Sequence, residues 1–310
     1  VINFVPCSGP VFGEQALTSP HLAAVNFTGS VGTFRNIWRT VANALDANHG
    51  FPRLVGECGG KDYHFVHESA DVDTVVAQTI RAAFEYSGQK CSACSRLYVP
   101  DTLWPKIKDG LLSLRAQLKL GSPLEFDTFL TAVIDGASYK NIKGYIDEAK
   151  SSATHTVLAG GVCDDSVGHY IEPTIVETSD PNSRLIREEI FGPVLTVYVY
   201  KTGSAAAVDE ALDLCDRTSG FALTGALFAK DQKFIDHATE RLKQSAGNFY
   251  INDKCTGAVV GQQPFGGGRL SGTNDKAGAP HYLLRWCSPQ NVKETYVPQR
   301  DWRYDYMTKQ

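Results

Sequence analysis

The chain lacks three things that would each point to a different class of protein. It has no basic excess: thirty Lys and Arg stand against 34 Asp and Glu, for a formal charge of −4. No Lys/Arg cluster overrides that balance, so the electrostatic footprint of a nucleic-acid binder is missing. It has no long apolar run: segments such as Pro193–Tyr200 are strand-sized, far short of the ~20 residues of a membrane span. It has no dense cysteine framework. Eight cysteines (Cys7, Cys58, Cys91, Cys94, Cys163, Cys215, Cys255 and Cys287) are scattered over 310 residues and read as reduced thiols of a reducing compartment. Repeats and low-complexity stretches are absent too. The opening Val1–Val5 carries neither an initiator Met nor a cationic leader, so the chain is expected to begin inside a domain.

Hydrophobic residues make up 43% of the sequence and charged residues 21%, enough to bury a core. The length suits about two domains of ~150 residues. Short β-like runs alternate with helical patterns, which predicts an α/β protein with parallel strands. Strands are expected at Val1–Val5, Ala23–Phe27, Arg53–Gly56, Tyr63–Val66, Ser95–Val99, Thr156–Ala159, Tyr170–Val176, Val194–Tyr200, Leu223–Phe228 and Phe249–Ile251. Helices are expected near 34–47, 71–86, 103–120, 139–151, 205–217 and 232–243. Residues 257–280 hold seven of the 28 glycines, a loop composition that lets backbone approach a ligand closely. The tail beyond Asn291 carries Tyr296, Trp302, Tyr304 and Tyr306. So much ring surface is expected to pack on something, a second subunit included.

Chemistry-bearing residues fall in separate short segments. In Gly88-Gln89-Lys90-Cys91-Ser92-Ala93-Cys94, Cys91 sits where a nucleophile can be presented, with Lys90 as a source of positive potential. A packed, inert thiol is the plain alternative, and the Cys91–Cys94 spacing also admits a redox dithiol. No second such pair exists to complete a four-cysteine zinc site. Glu57, in Gly56-Glu57-Cys58-Gly59-Gly60-Lys61, is either a general base or a solvated turn carboxylate. Phe27-Thr28-Gly29-Ser30-Val31-Gly32-Thr33 joins a strand to a helix, whose first amides suit a phosphate, without the full dinucleotide fingerprint. His64 and His67, on one predicted strand at odd spacing, point to opposite faces and read as structural. No metal site is expected.

The order and spacing of these segments are more specific than any one of them. Strand-Phe27-Thr28-Gly29-Ser30, Glu57-x-Gly59-Gly60-Lys61, Gly88-Gln89-x-Cys91, Glu189-Ile190-Phe191-Gly192-Pro193 and Pro264-Phe265-Gly266-Gly267 resemble the successive motifs of the aldehyde dehydrogenase superfamily. The stretches Phe84–Arg96, Gly247–Lys254 and Gly261–Phe265 resemble its glutamate-semialdehyde branch, and the likeness spans essentially the whole chain. The fold it implies is aldehyde dehydrogenase-like α/β. Residues 1–60 would be the remainder of a Rossmann-type NAD domain, 61–255 a catalytic domain, and 256–310 the substrate loop with a C-terminal oligomerisation segment.

The resemblance implies Cys91 as nucleophile and Glu57 as general base. It implies NAD as cofactor, held by Gly29, Ser30, Val31, Gly32, Thr33, Glu189 and Phe191. Ser92, Gly257 and Ala258 would grip the substrate carboxylate, with Phe265 as an aromatic wall. Two departures stand out: Phe34 replaces a second glycine of the cofactor turn, and Ala258 replaces a serine of animal members. The family's oxyanion Asn and adenine-ribose Lys belong upstream of residue 1, so the chain is expected to be the C-terminal part of a longer enzyme. The activity implied is NAD-dependent oxidation of glutamate semialdehyde to glutamate, in the mitochondrial matrix, by a homodimer or higher homo-oligomer. A catalytically incomplete chain that only binds cofactor is the alternative.

Overall fold

The computed structural model describes residues 2–308. A short helix α1 (Gly9–Ala16) leads to strand β1 (Ala24–Thr28), helix α2 (Val31–Asn43) and strand β2 (Arg53–Glu57). β3 (Asp62–Val66), α3 (Val72–Phe84), β4 (Cys94–Pro100) and α4 (Trp104–Arg115) follow. Next come α5 (Gly136–Ser151), β5 (His155–Ala159), the hairpin β6 (Cys163–Asp164) and β7 (Tyr170–Ile171), β8 (Thr174–Thr178), α6 (Arg184–Arg187) and β9 (Val194–Tyr200). α7 (Ala205–Arg217), β10 (Phe221–Ala222), β11 (Thr224–Phe228), α8 (Gln232–Leu242), β12 (Asn248–Ile251), β13 (Gly268–Arg269) and α9 (Asp305–Thr308) complete the order. Among the described residues no helix is long and apolar enough to cross a membrane.

β1 and β2 pair in parallel as a separate two-stranded sheet, while the main sheet runs β12-β11-β3-β4-β9-β8-β5. Its neighbours are parallel except β5, which closes the edge antiparallel to β8. Parallel strands covered on both faces need apolar residues on both faces, and the alternation supplies them. Val66, Leu97, Val99, Leu195 and Val197 face α3 and α4. Tyr63, Phe65, Tyr98 and Tyr200 face α7 and α8. His64 and His67 part the same way: His64 bonds Thr79 of α3 at 2.9 Å, and His67 stacks on Phe234 of α8 at 3.8 Å. A third cluster seats α5 through Ile142 and Ile146.

Several expectations need correction. Ile2 and Phe4 are 97% and 89% exposed and form no strand, because no neighbouring strand takes their backbone hydrogen bonds; Val1 lies outside the described residues. The strand expected at 170–176 breaks at Glu172-Pro173, where proline has no amide to give a ladder. The helix expected over 103–120 ends at Arg115, since Leu120 turns back to bridge Leu130. In the aromatic tail, Tyr296, Trp302, Tyr304 and Tyr306 are exposed on this single chain, which leaves the expectation of packing on a second subunit open.

The two sheets meet end to end. The carboxyl ends of β1 and β2, at Thr28 and Glu57, face the amino ends of β3 and β4, near Asp62 and Cys94. Glu57 bridges Gly272, and Cys58 donates its amide to the Ser271 carbonyl at 2.8 Å. Arg53 donates from Nη1 to the carbonyls of Leu284, Arg285 and Cys287. Above β4 the chain is forced into the left-handed region at Tyr86 (φ 58°), Ser87 (φ 56°) and Gly88 (φ 66°). For the two non-glycine residues this costs on the order of 1–3 kcal/mol each and must be imposed by surrounding bonds. Buried Ser87 supplies them, since its Oγ donates to the Thr131 carbonyl at 2.8 Å and accepts the Thr131 amide at 3.2 Å. Ser87→Ala removes both bonds, and we expect a loss of about 1–3 kcal/mol in urea unfolding, read as a lower midpoint at an unchanged slope.

Candidate active site

Between the sheet ends lies a cleft of about 880 Å³. Four segments build it. Thr28, Gly29 and Ser30 form one wall, Glu57–Gly59 a second, Gln89–Ser92 a third, and the loop from Thr256 to Gly278 closes it, with Glu189 and Phe191 at the side. Residues widely separated in sequence therefore share one space. Of those singled out above, Cys91, Glu57, Gly29, Ser30, Glu189, Phe191, Ser92, Gly257, Ala258 and Phe265 all line it.

The loop that carries Cys91 is tied on both sides. Gln89 Oε1 accepts the Ile134 amide at 2.8 Å, and Ser92 Oγ lies 2.8 Å from Thr256 Oγ1. The Gly59-Gly60 turn passes directly beneath. A Cβ on Gly59 would collide with the Glu189 carboxylate, and one on Gly60 with the Cys91 carbonyl and Asp62 Oδ2. Only glycine fits such close approach. Glu189 Oε1 in turn accepts the Gly60 amide at 2.9 Å.

The electrostatics differ from the expectation for Lys90. Lys90 is turned to Glu85 at 3.2 Å and lends no positive potential to the thiol. Burial pushes Cys91 up to about 12, and Asp62, Glu57 and Glu189 add to that rise. Its own backbone N–H faces the sulfur and opposes the rise. The resting thiol is therefore protonated, and a base is needed as substrate arrives. Burial also lifts the Glu57 carboxyl to about 7, against the nearby Lys276 ammonium, and Glu57 Oε1 is buried without a partner. A carboxylate poised near neutrality is suited to take and return protons.

Val31, Gly32 and Thr33 stand back from the wall in the first turn of α2. Ser30 caps that helix, accepting the Thr33 amide at 3.2 Å, and the first-turn amides before Thr33 have no intrahelical acceptor. An anionic group seated at Gly29 and Ser30 meets this helix end. Phe34 sits behind the turn, stacked on Phe27 at 5.7 Å. Glycine at that position would leave this ring contact empty.

Thr256, Lys276 and Asp62 were missed in sequence. Thr256 adjoins the Gly257-Ala258 pair and was within reach of motif reading. Lys276 carries no local signature: its Nζ donates to the carbonyls of Gly247 (2.5 Å) and Gly266 (2.7 Å) and to Asn248 Oδ1 (3.1 Å). Its role exists only once the loop has closed. One cluster of metal-ligand type occurs among the described residues, His64, Cys94 and Cys255, with ligand atoms within 4.8 Å of one another. Both ring nitrogens of His64 are engaged there, Nε2 by the Cys255 amide at 3.2 Å and Nδ1 by Thr79, so the ring serves as a brace.

The aldehyde dehydrogenase family profile matches residues 1–292. The chain belongs to the aldehyde dehydrogenase family. It is 58% identical over 309 residues to a protein of Danio rerio named mitochondrial delta-1-pyrroline-5-carboxylate dehydrogenase, covering 99% of this chain and 55% of that protein. The Homo sapiens protein of that name is 58% identical over 308 residues, with 99% and 54% covered. A crystal structure of the Mycobacterium tuberculosis delta-pyrroline-5-carboxylate dehydrogenase bound with NAD superposes with a TM-score of 0.89 at 43% identity. It covers 97% of this chain and 54% of that one. The chain thus spans about half the length of the relatives it matches. In aldehyde dehydrogenase terms, the cleft brings a thiol, a base and a helix N-terminus into one space.

The Lys276 ammonium favours the ionised form of Glu57, so removing it must raise the carboxyl further. Carboxyl-carbon NMR, with Glu57→Gln to assign the resonance, should show a midpoint near 7. In Lys276→Met the midpoint should move upward; a downward move would contradict the assigned sign.

Proposed function

We propose that this chain carries the catalytic machinery of an NAD-dependent dehydrogenase that oxidises glutamate semialdehyde to glutamate. The observation that carries the reading is the convergence of Cys91 and Glu57 on the Ser92–Thr256–Gly257 corner of one cleft, in a chain 58% identical to proteins named for this substrate's cyclic form. Residues up to about 60 form the remainder of the NAD domain, 61–255 the catalytic domain, and 256–310 the substrate loop and oligomerisation segment. The exposed aromatic tail supports assembly of a homo-oligomer. The relatives' mitochondrial names support a matrix location.

The residues act in sequence. Glu57, a cleft carboxyl held near neutrality, accepts the Cys91 proton as the aldehyde enters. The thiolate adds to the carbonyl carbon, and the Cys91 amide faces the oxygen that gains charge. Losing one such oxyanion donor costs roughly 3–4 kcal/mol of barrier, so this amide is a large term. Gly29, Ser30 and Glu189 would hold NAD along one wall, where it would supply a hydride acceptor; the adduct that has given up hydride is a thioester on Cys91. Glu57, having passed its first proton to solvent, then takes a proton from water, whose oxygen attacks the thioester carbon; the acid leaves, and the Cys91 sulfur receives that proton as the thiol. Sulfur serves both halves, as nucleophile and as leaving group. Ser92 and the Gly257-Ala258 loop anchor the far carboxylate, and Phe265 walls the substrate chain.

A second reading, cofactor binding without turnover, is favoured by one observation: the chain spans about half of its relatives. NADH formation with glutamate semialdehyde and with propanal, beside an NAD titration, separates the two. Turnover favouring glutamate semialdehyde supports the enzyme; binding without turnover supports the second reading. The thiol–disulfide alternative is disfavoured by geometry, because Cys94 is buried beside His64 and Cys255 while Cys91 lines the cleft. Cys91→Ala is expected to abolish NADH formation, and Cys94→Ser to retain it. Glu57→Gln should slow thioester hydrolysis, so that intact-mass spectrometry detects an acyl adduct on Cys91.

A further inference from the structure

We propose that Asp62 is a positioning residue for Cys91 that works as a neutral acid, its Oδ2 hydroxyl facing the Cys91 carbonyl across Gly60. The inference rests on the reading of Cys91 as nucleophile and extends it to a group outside the cleft wall. Asp62 opens β3 and is 1% exposed. Its Oδ1 accepts the Thr224 amide at 2.7 Å, while Oδ2 is buried with no partner. The Cys91 carbonyl and Asp62 Oδ2 both crowd the position a Cβ on Gly60 would take, so they flank the same residue, one that carries no side chain. An ionised Oδ2 there would meet a carbonyl oxygen, acceptor against acceptor. A protonated one gives that carbonyl a donor and leaves no orphan.

The charges around Asp62 do not force it to ionise. Arg96 on β4 favours the carboxylate, but its Nε donates to the Lys61 carbonyl at 2.7 Å and its Nη1 to Tyr98 and Cys215. Glu189, from the segment before β9, opposes ionisation. Lys61, adjacent on the chain, is fully buried and held down to about 7 by burial first and Arg96 second. β11 offers the Thr224 amide and hydroxyl, both of which favour the carboxylate. The balance holds the Asp62 carboxyl up at about 8, burial being the largest cause. After burial, Asp62 is the first of the charges that oppose the Cys91 thiolate. The same group therefore steadies the nucleophile's loop when neutral and restrains its thiolate when ionised.

The test reads the thiol directly and does not depend on turnover. Alkylation of Cys91 by iodoacetamide is followed by peptide mass spectrometry in the 310-residue chain from pH 6.5 to pH 10. In the unaltered chain, the rise of log rate with pH should flatten above about pH 8, and Glu57→Gln should keep that break, which assigns it away from Glu57. Asp62→Asn keeps the shape and a hydrogen-bond donor but cannot ionise. It should match the unaltered chain below pH 7 and run five- to tenfold faster at pH 9.5, tenfold corresponding to one unit of thiol pKa. Asp62→Ser is the second neutral variant, and circular dichroism checks the fold of both. An unbroken rise to pH 10 in the unaltered chain overturns the proposal even if both variants unfold. So does a folded Asp62→Asn whose curve superimposes on the unaltered one or differs equally at every pH. Persistence of NADH formation in Cys91→Ala would instead remove the nucleophile reading and leave the alkylation result standing.

Discussion

Everything in the cleft depends on how closely the Gly59-Gly60 turn runs beneath the nucleophile loop. The turn admits no side-chain carbon, because the Glu189 carboxylate, the Cys91 carbonyl and Asp62 already occupy that space. That packing sets the height of Cys91 above the sheet and the position of Glu189 at the side wall. It also places Glu57, just before the turn, in the same space as the thiol. Close-packed interiors transmit small displacements, so bulk added at the turn would move Cys91, Glu57 and Glu189 together.

The same crowding explains the resting electrostatics. Asp62, Glu57 and Glu189 all press against the thiolate of Cys91, and the largest influences on it from the described residues include no cation. The Cys91 thiol therefore rests protonated, in one cleft with a Glu57 carboxyl of nearly neutral pKa. A permanently ionised sulfur would be exposed to oxidation and to any passing electrophile. A high resting pKa postpones that exposure until substrate brings its own electrophilic carbon.

Much of this was legible beforehand, and the reasons differ by element. β9 and α7 fall on the bounds read from pattern, Val194–Tyr200 and Ala205–Arg217, because β-branched runs and a 3.6-residue apolar period leave little ambiguity there. Cys91, Glu57 and the glycine turns were found because each lies in a short contiguous motif. Lys276 and Asp62 were not, since what they do is created by closure between distant segments and has no local pattern. Val1–Val5 was misread for the converse reason: its residues suit a strand, but a strand also needs a neighbour.

The strap over the general base has a consequence for the order in which the site is made. Gly56 donates its amide to a threonine hydroxyl 217 residues further along the chain, and Cys58 donates to the Ser271 carbonyl. The backbone that carries Glu57 is therefore held on one side only, by β1, while the intervening strands and helices are synthesised. With translation at about 5–20 residues per second, the thiol emerges well before its base is locked beside it. A growing chain holds the sulfur before it holds a closed cleft, and the wall is completed only when the loop from Thr256 to Gly278 arrives.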